Sequence, residues 1–211
     1  AVVMHEMGHN LNLAHSGGMD KQTYTDHTCL MGNPLFEDDV GRMCFNAAKN
    51  WQLPWYEDRK LLLSPLAEAD DWTTSVTMVG IADYLNNPQE RAVVIKLETN
   101  TGQDFFVGFN RATGVNEFND EADDEVTVVQ VTQRDGEGYA QSYLKATLTQ
   151  GESYEMDLGG GKVVYVDAST IDIGADPGYA TVTFRTDQVP TASPTPKPPQ
   201  CSGSDPATCG C

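Results

Sequence analysis

Two histidines and a glutamate stand near the start of the chain in the order His5-Glu6-Met7-Gly8-His9, which is the HExxH pattern. On an α-helix, a spacing of four residues places His5 and His9 on one face, where both imidazoles can bind one Zn²⁺. Glu6 can then take a proton from a water molecule on the metal as that water attacks a carbonyl. The pattern indicates a metal-dependent hydrolase; a helix with two ordinary histidines is the alternative.

A third histidine, His15, follows His9 after six residues, so that the whole pattern is HExxHxxNxxH. The helix has to end and turn before His15 can reach the same metal. Asn12 stands in this turn, and asparagine tolerates a left-handed backbone better than any residue except glycine. We therefore predict a helix over residues 1–12, and its apolar face consists of Val3, Met7, Leu11 and Ala14.

The next segment predicts a loop over residues 16–37 and a second helix over 39–51. Asp38 or Asp39 would cap this helix, and Pro54 would end it. Its predicted buried face consists of Val40, Met43, Ala47 and Trp51.

From about residue 62 the apolar pattern changes from helical to alternating, which is typical of half-buried strands. Seven strands without intervening helices predict an all-β sandwich over 62–189, followed by a Pro-rich linker and a cysteine-containing tail over 190–211. The chain is thus expected to be an α+β, multidomain protein. The predicted strands are 74–79, 91–97, 104–109, 126–132, 142–149, 162–167 and 180–185.

The charge balance narrows the classes of partner. The chain has 13 basic and 31 acidic residues, a net charge of −18. Such a chain repels phosphate backbones and anionic lipids, so we expect no nucleic-acid partner. No apolar run approaches the roughly 18 residues that a membrane-spanning helix needs.

Five sequence segments resemble one family of peptidases. Residues 5–17, HEMGHNLNLAHSG, resemble the zinc signature of the metzincin metallopeptidases. Among these, the amino-acid sequence of the segment is most similar to that of the gametolysin family. YTDHTCLMG (24–32) resembles the Met-turn of that family, and MCFNAAKNWQLPWY (43–56) resembles the helix that follows it. VGIADY (79–84) and FFVGFNRATGVN (105–116) resemble parts of its C-terminal β-rich region.

The resemblance implies a role for each matching residue. It implies one catalytic Zn²⁺ held by His5, His9 and His15, with Glu6 as the general base. Met31 would be the Met-turn methionine, an apolar floor beneath the histidines.

Two residues depart from the metzincin pattern. Asn12 replaces a glycine, and Asn33 stands where some metzincins have an additional tyrosine ligand. The expected ligand set is therefore three histidines and a water molecule.

For the fold, the resemblance implies that residues 1–61 are the C-terminal half of a metzincin catalytic domain, with the active-site helix, the Met-turn and the C-terminal helix. The N-terminal half of such a domain is not among these residues. We expect both ends to be truncations or processing points. We also expect the 211 residues alone to be an incomplete enzyme.

Several further residues leave alternatives open. Cys29 and Cys44 are expected to form a disulfide, because peptidases of this kind are secreted; two buried free thiols are the alternative. His27 is interpreted as a loop residue, and Asp26 as either a turn residue or a partner of a ligand histidine. The acidic run 119–125 could bind Ca²⁺, although its spacing favours a solvated loop.

Together these features predict a secreted zinc endopeptidase that acts on extracellular or cell-wall proteins and glycoproteins. The substrate class and the location follow from the resemblance. The alternative is an inactive β-sandwich adhesion or matrix module that carries a vestigial peptidase segment. The intact Glu6 argues against that alternative, since a decayed site would be free to lose it.

Overall fold

The computed structural model describes residues 2–32, 43–119, 121–132 and 140–186, and within these ranges the fold is mostly β-sheet. The α-helices of this part are α1 (Val2–Asn10) and α2 (Ala47–Gln52), and short 3₁₀ helices occupy Pro54–Arg59, Pro65–Ala67, Ile81–Asp83 and Gly114–Asn116. The strands are β1 (Ser16–Gly17), β2 (Lys60–Leu63), β3 (Thr73–Val79), β4 (Val94–Leu97), β5 (Gln103–Asn110), β6 (Glu125–Thr132), β7 (Ser142–Leu148), β8 (Ser153–Asp157), β9 (Val163–Asp172) and β10 (Tyr179–Arg185). Neither described helix is long and apolar enough to cross a membrane.

The strands form two sheets. One has six strands in the order β1-β7-β6-β5-β4-β2, and the other has four in the order β3-β10-β9-β8. The pairs β1–β7 and β2–β4 are parallel, and the other pairs are antiparallel. The prediction of a β-rich protein with a sandwich of two sheets is confirmed.

One apolar core lies between the two sheets and a second lies on the outer face of the larger one. Side chains alternate along each strand, so Phe105, Val107 and Phe109 of β5 enter the core between the sheets. Phe106 points the other way, into the cluster that contains Ala47 and Ala48 of α2. Helix α2 therefore covers the outer face of the six-stranded sheet.

All seven predicted strands are present, but some of their ends differ. Strand β4 begins three residues later than predicted, and β9 extends five residues further, to Asp172. Strands β1, β2 and β8 had no prediction. These three strands form because a neighbouring strand supplies their hydrogen bonds: β1 pairs with β7, β2 with β4, and β8 with β9.

The first helix is present, but its apolar face does not point into a core. Val3 is 73% exposed, Met7 52% and Leu11 45%, whereas the buried residues of α1 are His5 and Gly8. The side of α1 that contacts the rest of the described chain is thus the side that carries His5 and Gly8, whereas His9 is exposed.

The second helix begins later than predicted. It starts at Ala47, because the side chain of Asn46 accepts a hydrogen bond from the backbone N–H of Lys49 and caps the helix. The proposed caps Asp38 and Asp39, and Val40, lie outside the described residues. The predicted end is confirmed, since α2 stops at Gln52 and Pro54 opens a 3₁₀ helix.

The predicted boundary between residues 61 and 62 falls inside β2. Strand β1, from the first predicted domain, also pairs with β7 from the second. The division into domains therefore stays a prediction. Residues 190–211 lie outside the described part.

Candidate active site

Helix α1 carries the first two histidines of the motif on one side, where His5 is buried and His9 is exposed. Nδ1 of His5 donates a hydrogen bond to the carbonyl oxygen of Leu30 (2.8 Å), and Nδ1 of His9 donates to that of Leu13 (2.9 Å). A carbonyl only accepts, so each Nδ1 carries the proton and each Nε2 keeps a lone pair. Both rings are thus held in the tautomer that binds a metal through Nε2.

A left-handed residue turns the chain back after α1. Asn12 has a φ of 61°, which confirms the predicted turn. The N–H of the buried Leu13 donates to the carbonyl of Gly8 (3.0 Å), and Gln52 donates to the carbonyl of Asn12 (2.8 Å). These contacts bring His15 back beside α1.

The structure brings His5, His9 and His15 together. One nitrogen from each ring lies within 4.8 Å of the other two, and Nε2 of His15 is 3.0 Å from Nε2 of His9. Three nitrogens around a tetrahedral zinc ion would be separated by about 3.3 Å, given Zn–N distances of about 2.05 Å. The cluster can therefore close on one metal ion with small shifts of the rings.

The surroundings favour a neutral His15. Burial lowers the pKa of His15, and the neighbouring His9 and His5 lower it further, while the carboxylate of Glu6 acts in the opposite direction. A neutral imidazole is the form that binds a metal. Glu6 itself is exposed on α1, next to His5.

Met31 lies directly beneath α1. Its side chain is fully buried, and a Cβ atom on Gly8 would come within 3.0 Å of its sulfur, closer than real Cβ contacts. The close contact at Gly8 was not predicted from the sequence. A glycine inside a helix lowers helix stability by about 1 kcal/mol relative to alanine. A glycine at such a position therefore indicates a close packing contact, and this was the available signal in the sequence.

A buried polar network joins the turn before Met31 to α2 and the sheet. The fully buried Asp26 accepts hydrogen bonds from Ser16 (2.5 Å), from the side-chain amide of Asn46 (3.0 Å), and from the backbone N–H and hydroxyl of Thr28 (3.0 and 2.6 Å). Ser16 also bonds to Ser142 at the start of β7 (2.7 Å). Within the described chain Asp26 makes no bond to a ligand histidine, which favours the turn interpretation.

A lysine that the sequence analysis missed lies close to this network. Lys49 is only 1% exposed, and among the described residues its Nζ has no hydrogen-bond partner. Burial lowers its pKa to about 8, and the carboxylate of Asp26 opposes this change.

Both cysteines of the Met-turn region are free thiols in the structure. Cys29 is fully buried and Cys44 is partly buried, and burial raises the pKa of each to about 12. The backbone N–H of Leu30 donates to the carbonyl of Cys44 (3.0 Å), so the two segments lie side by side. The disulfide stays a prediction, and Cys201, Cys209 and Cys211 lie outside the described residues.

The other candidates lie away from the histidine cluster. The backbone N–H of His27 donates to Glu121 (3.3 Å), and His27 does not join the three histidines as a possible ligand. In the acidic run, Asp124 pairs with Arg111 (2.5 Å), and Asn119 donates to Asp123 (2.8 Å). Among the described residues no second group of metal ligands forms there, so Ca²⁺ stays a prediction.

The family model of gametolysin peptidase M11 matches residues 1–146, more than two thirds of the 211 residues. The chain belongs to this family. The match confirms the resemblance seen in the sequence, and it makes this gametolysin-family chain a member of a peptidase family. No curated protein and no solved structure matches the chain.

The matched part of this gametolysin-family chain is larger than the motif region. It runs from α1 into β7, which spans residues 142–148. It therefore includes the histidine cluster, Met31, α2 and nearly all of the six-stranded sheet.

Proposed function

We propose that this gametolysin-family chain is a zinc-dependent endopeptidase. The single observation that carries the proposal is the convergence of three imidazole nitrogens within 4.8 Å, two of them from rings whose Nδ1 atoms are held by backbone carbonyls. Membership of a peptidase family supports the hydrolysis of peptide bonds.

The donor set fits zinc better than a hard cation. Zinc binds imidazole nitrogen readily, whereas Ca²⁺ and Mg²⁺ prefer oxygen ligands. His5, His9 and His15 supply three nitrogens and leave a fourth position for water or substrate, which is the arrangement of a catalytic zinc site rather than a structural one.

Each nearby residue then has a role in the reaction. Bound zinc supplies a Lewis acid that polarises the scissile carbonyl and lowers the pKa of water. Glu6, exposed beside His5, accepts a proton from the attacking water and delivers it to the leaving amine. Met31 supports the helix that carries Glu6, and the network around Asp26 holds the turn that carries Met31.

We propose further that residues 1–61 are the C-terminal half of a metzincin catalytic domain. The order of α1, the left-handed turn at Asn12, the Met-turn and α2 supports this interpretation. We also propose that the protein is secreted and cleaves extracellular or cell-wall proteins and glycoproteins, which the family supports. A strongly acidic surface, with a net charge of −18, is compatible with that setting.

In a secreted protein we propose that Cys29 and Cys44 form a disulfide. The pairing of Leu30 with Cys44 supports it, because it places the two cysteine segments against each other. Intact mass measured with and without reductant, on protein made in an oxidising compartment, tests it. A mass that shows all five cysteines as free thiols under both conditions contradicts the disulfide.

Zinc content and hydrolysis together test the main proposal. We expect about one zinc ion per chain by elemental analysis, lost in His9→Ala and retained in Glu6→Gln. Glu6→Gln should abolish hydrolysis of a quenched peptide substrate that the unmodified protein cleaves. If the unmodified chain binds no zinc, the inactive β-sandwich module becomes the better interpretation. If Glu6→Gln remains active, the general-base role is wrong.

A further inference from the structure

The three histidines of the cluster are not held in the same way. His5 and His9 each donate from Nδ1 to a backbone carbonyl. Among the described residues, the hydrogen bond of the His15 ring is the one between its Nε2 and that of His9, on the side where a metal would bind. Within the cluster, the His15 ring also lies 4.7 Å from the ring of His9 and 5.5 Å from that of His5 between centroids.

A contact from outside the cluster is made by an aromatic ring. The ring of Tyr24 lies 4.3 Å from the ring of His15 between centroids, with an angle of 52° between the two planes. The ring of His5 is further away, at 6.4 Å from Tyr24. Tyr24 is 49% exposed, so one part of its surface covers His15 and the rest faces solvent.

A tightly folded loop, residues 18–25, delivers Tyr24 to this position. A Cβ atom on Gly17 would come within 3.0 Å of the carbonyl oxygen of Gln22, and one on Gly18 would come equally close to that of Thr25. The loop can therefore lie against the backbone after His15 because both positions are glycine. Residues 16–25, SGGMDKQTYT, thus form a loop that brings Tyr24 back beside His15.

Hydrogen bonds of Thr25 stabilise the end of this loop. Its hydroxyl accepts a hydrogen bond from the N–H of Gly18 (3.0 Å) and donates to the carboxylate of Asp20. Asp20 also accepts from the N–H of Gln22 (3.0 Å). The position of Tyr24, one residue before Thr25, is thus set by the loop itself and not only by its contact with His15.

The backbone of His15 is held from the other side. Its carbonyl accepts a hydrogen bond from the N–H of Ser142 (3.1 Å), and Ser16 and Gly17 pair with β7. With the backbone fixed by the sheet, rotation of the side chain is the main freedom left to His15. The ring of Tyr24 limits that rotation.

We propose that Tyr24 is a positioning residue for the third metal ligand, and that its ring takes the place of the carbonyl acceptors that orient His5 and His9. The proposal rests on the zinc site proposed above. Removing the hydrogen-bond partners that orient metal-bound histidines typically costs tenfold to a hundredfold in metal affinity, and we expect an effect of that order here. The ring contact, rather than the phenol hydroxyl, should carry the effect.

Metal affinity of the full 211-residue chain tests the proposal directly. Zinc affinity is measured by competition with a chromophoric chelator for the unmodified protein and for Tyr24→Ala, Tyr24→Phe and Phe118→Ala. Phe118 is the matched control, an aromatic residue with similar exposure, 46%, outside the cluster. The visible absorption of bound Co²⁺ is recorded for each, because it reports the ligand geometry without any need for hydrolysis.

We expect Tyr24→Ala to weaken zinc binding by about tenfold or more and to change the Co²⁺ spectrum. Tyr24→Phe and Phe118→Ala should retain both properties. Equal affinity and spectra for Tyr24→Ala and the unmodified protein would overturn the proposal, and so would a loss in Tyr24→Phe as large as that in Tyr24→Ala. Absence of zinc binding in the unmodified protein would instead refute the proposed function.

A second variant tests whether weaker zinc binding comes from a misplaced Tyr24 ring or from a less stable fold. Thr25→Val keeps Tyr24 but removes the hydroxyl that fastens the loop, and the thermal unfolding of each metal-free variant is measured alongside. We expect Thr25→Val to weaken zinc binding while the metal-free fold unfolds at nearly the same temperature. Unchanged zinc affinity in Thr25→Val would contradict the role of the loop.

Discussion

Gly8 and Met31 are in direct contact across the base of the histidine cluster, and a Cβ atom on Gly8 would meet the Met31 sulfur at less than 3.0 Å. Phe45 closes the same gap, at 3.4 Å from that Cβ position. Because Gly8 has no side chain, the helix that carries His5 and His9 packs directly on the side chain of Met31. The position of the His5 and His9 rings relative to the core that contains Met31 therefore depends on this contact.

Gly8→Ala should therefore destabilise the fold. Helix propensity alone would make alanine more stable than glycine by about 1 kcal/mol. Overpacking against the buried Met31 should outweigh that gain and lower the free energy of unfolding by about 1–3 kcal/mol. Chemical denaturation measures the sign of the change.

A second glycine provides the control for Gly8. A Cβ atom on Gly174 would have only an ordinary contact, 3.5 Å from Asp172, so Gly174→Ala should be nearly neutral. A Gly8→Ala protein as stable as the unmodified one would show that Met31 moves aside at little cost.

Asn12 should resist replacement by β-branched residues. Its φ of 61° lies in the left-handed region, where valine is strained. Asn12→Val should lower the free energy of unfolding by about 1–2 kcal/mol, and it should weaken zinc binding, because the turn places His15. The measurements are denaturation and chelator competition. The comparison is Asn12→Gly, which adopts this conformation freely, and equal stability of the two variants would contradict the prediction.

Removal of Asp26 should be costly, because its carboxylate satisfies four donors in a fully buried position. Asp26→Ala leaves the hydroxyl of Ser16 and the amide of Asn46 with fewer partners, and we expect a loss of about 3 kcal/mol in the free energy of unfolding. Thermal and chemical unfolding measure it. Asp70→Ala, at a fully exposed side chain, is the control, and a similar loss in both would exclude a special role for the network.

Lys49 should give stability an unusual dependence on pH. Its pKa is about 8 in the folded chain and 10.5 for an ordinary lysine, so between these values the unfolded chain binds more protons than the folded one. By linkage, this residue makes the free energy of unfolding rise with pH above about 8. Where Cys29 and Cys44 are free thiols, they act in the opposite direction from about pH 9, because burial raises the pKa of each to about 12.

The Lys49 effect is isolated by comparison with Lys49→Met. This variant should be more stable than the unmodified protein at pH 7, by about 1–3 kcal/mol, because no charge has to be buried. The advantage should shrink as the pH rises from 8 towards 10. Urea denaturation at several pH values measures both proteins, and a pH-independent difference between them would contradict the lowered pKa.

Much of the chemistry of the site could be predicted from the sequence because it depends on local geometry. Helical periodicity alone puts His5 and His9 on one side of α1, and the tolerance of asparagine for positive φ predicts the turn before His15. Alternation likewise predicted seven of the ten described strands, because each of these has one face buried between the two sheets. These properties depend on residues a few positions apart.

The remaining features were decided by contacts between distant segments. The start of α2 depends on Asn46, whose amide also bonds to Ser16 and Asp26. Helix α1 turns His5 and Gly8 inward because Gly8 packs against Met31, although the apolar residues of the helix suggest the opposite face. The short β1 exists only because Ser142 and Tyr143 supply its partners, and Tyr24 reaches His15 only because the loop folds onto two glycines. By itself the sequence determined which residues can bind a metal and which segments alternate, since periodicity is a local property. Only the tertiary structure decided which faces are buried and what holds each ligand, because those depend on atoms brought together from far apart along the chain.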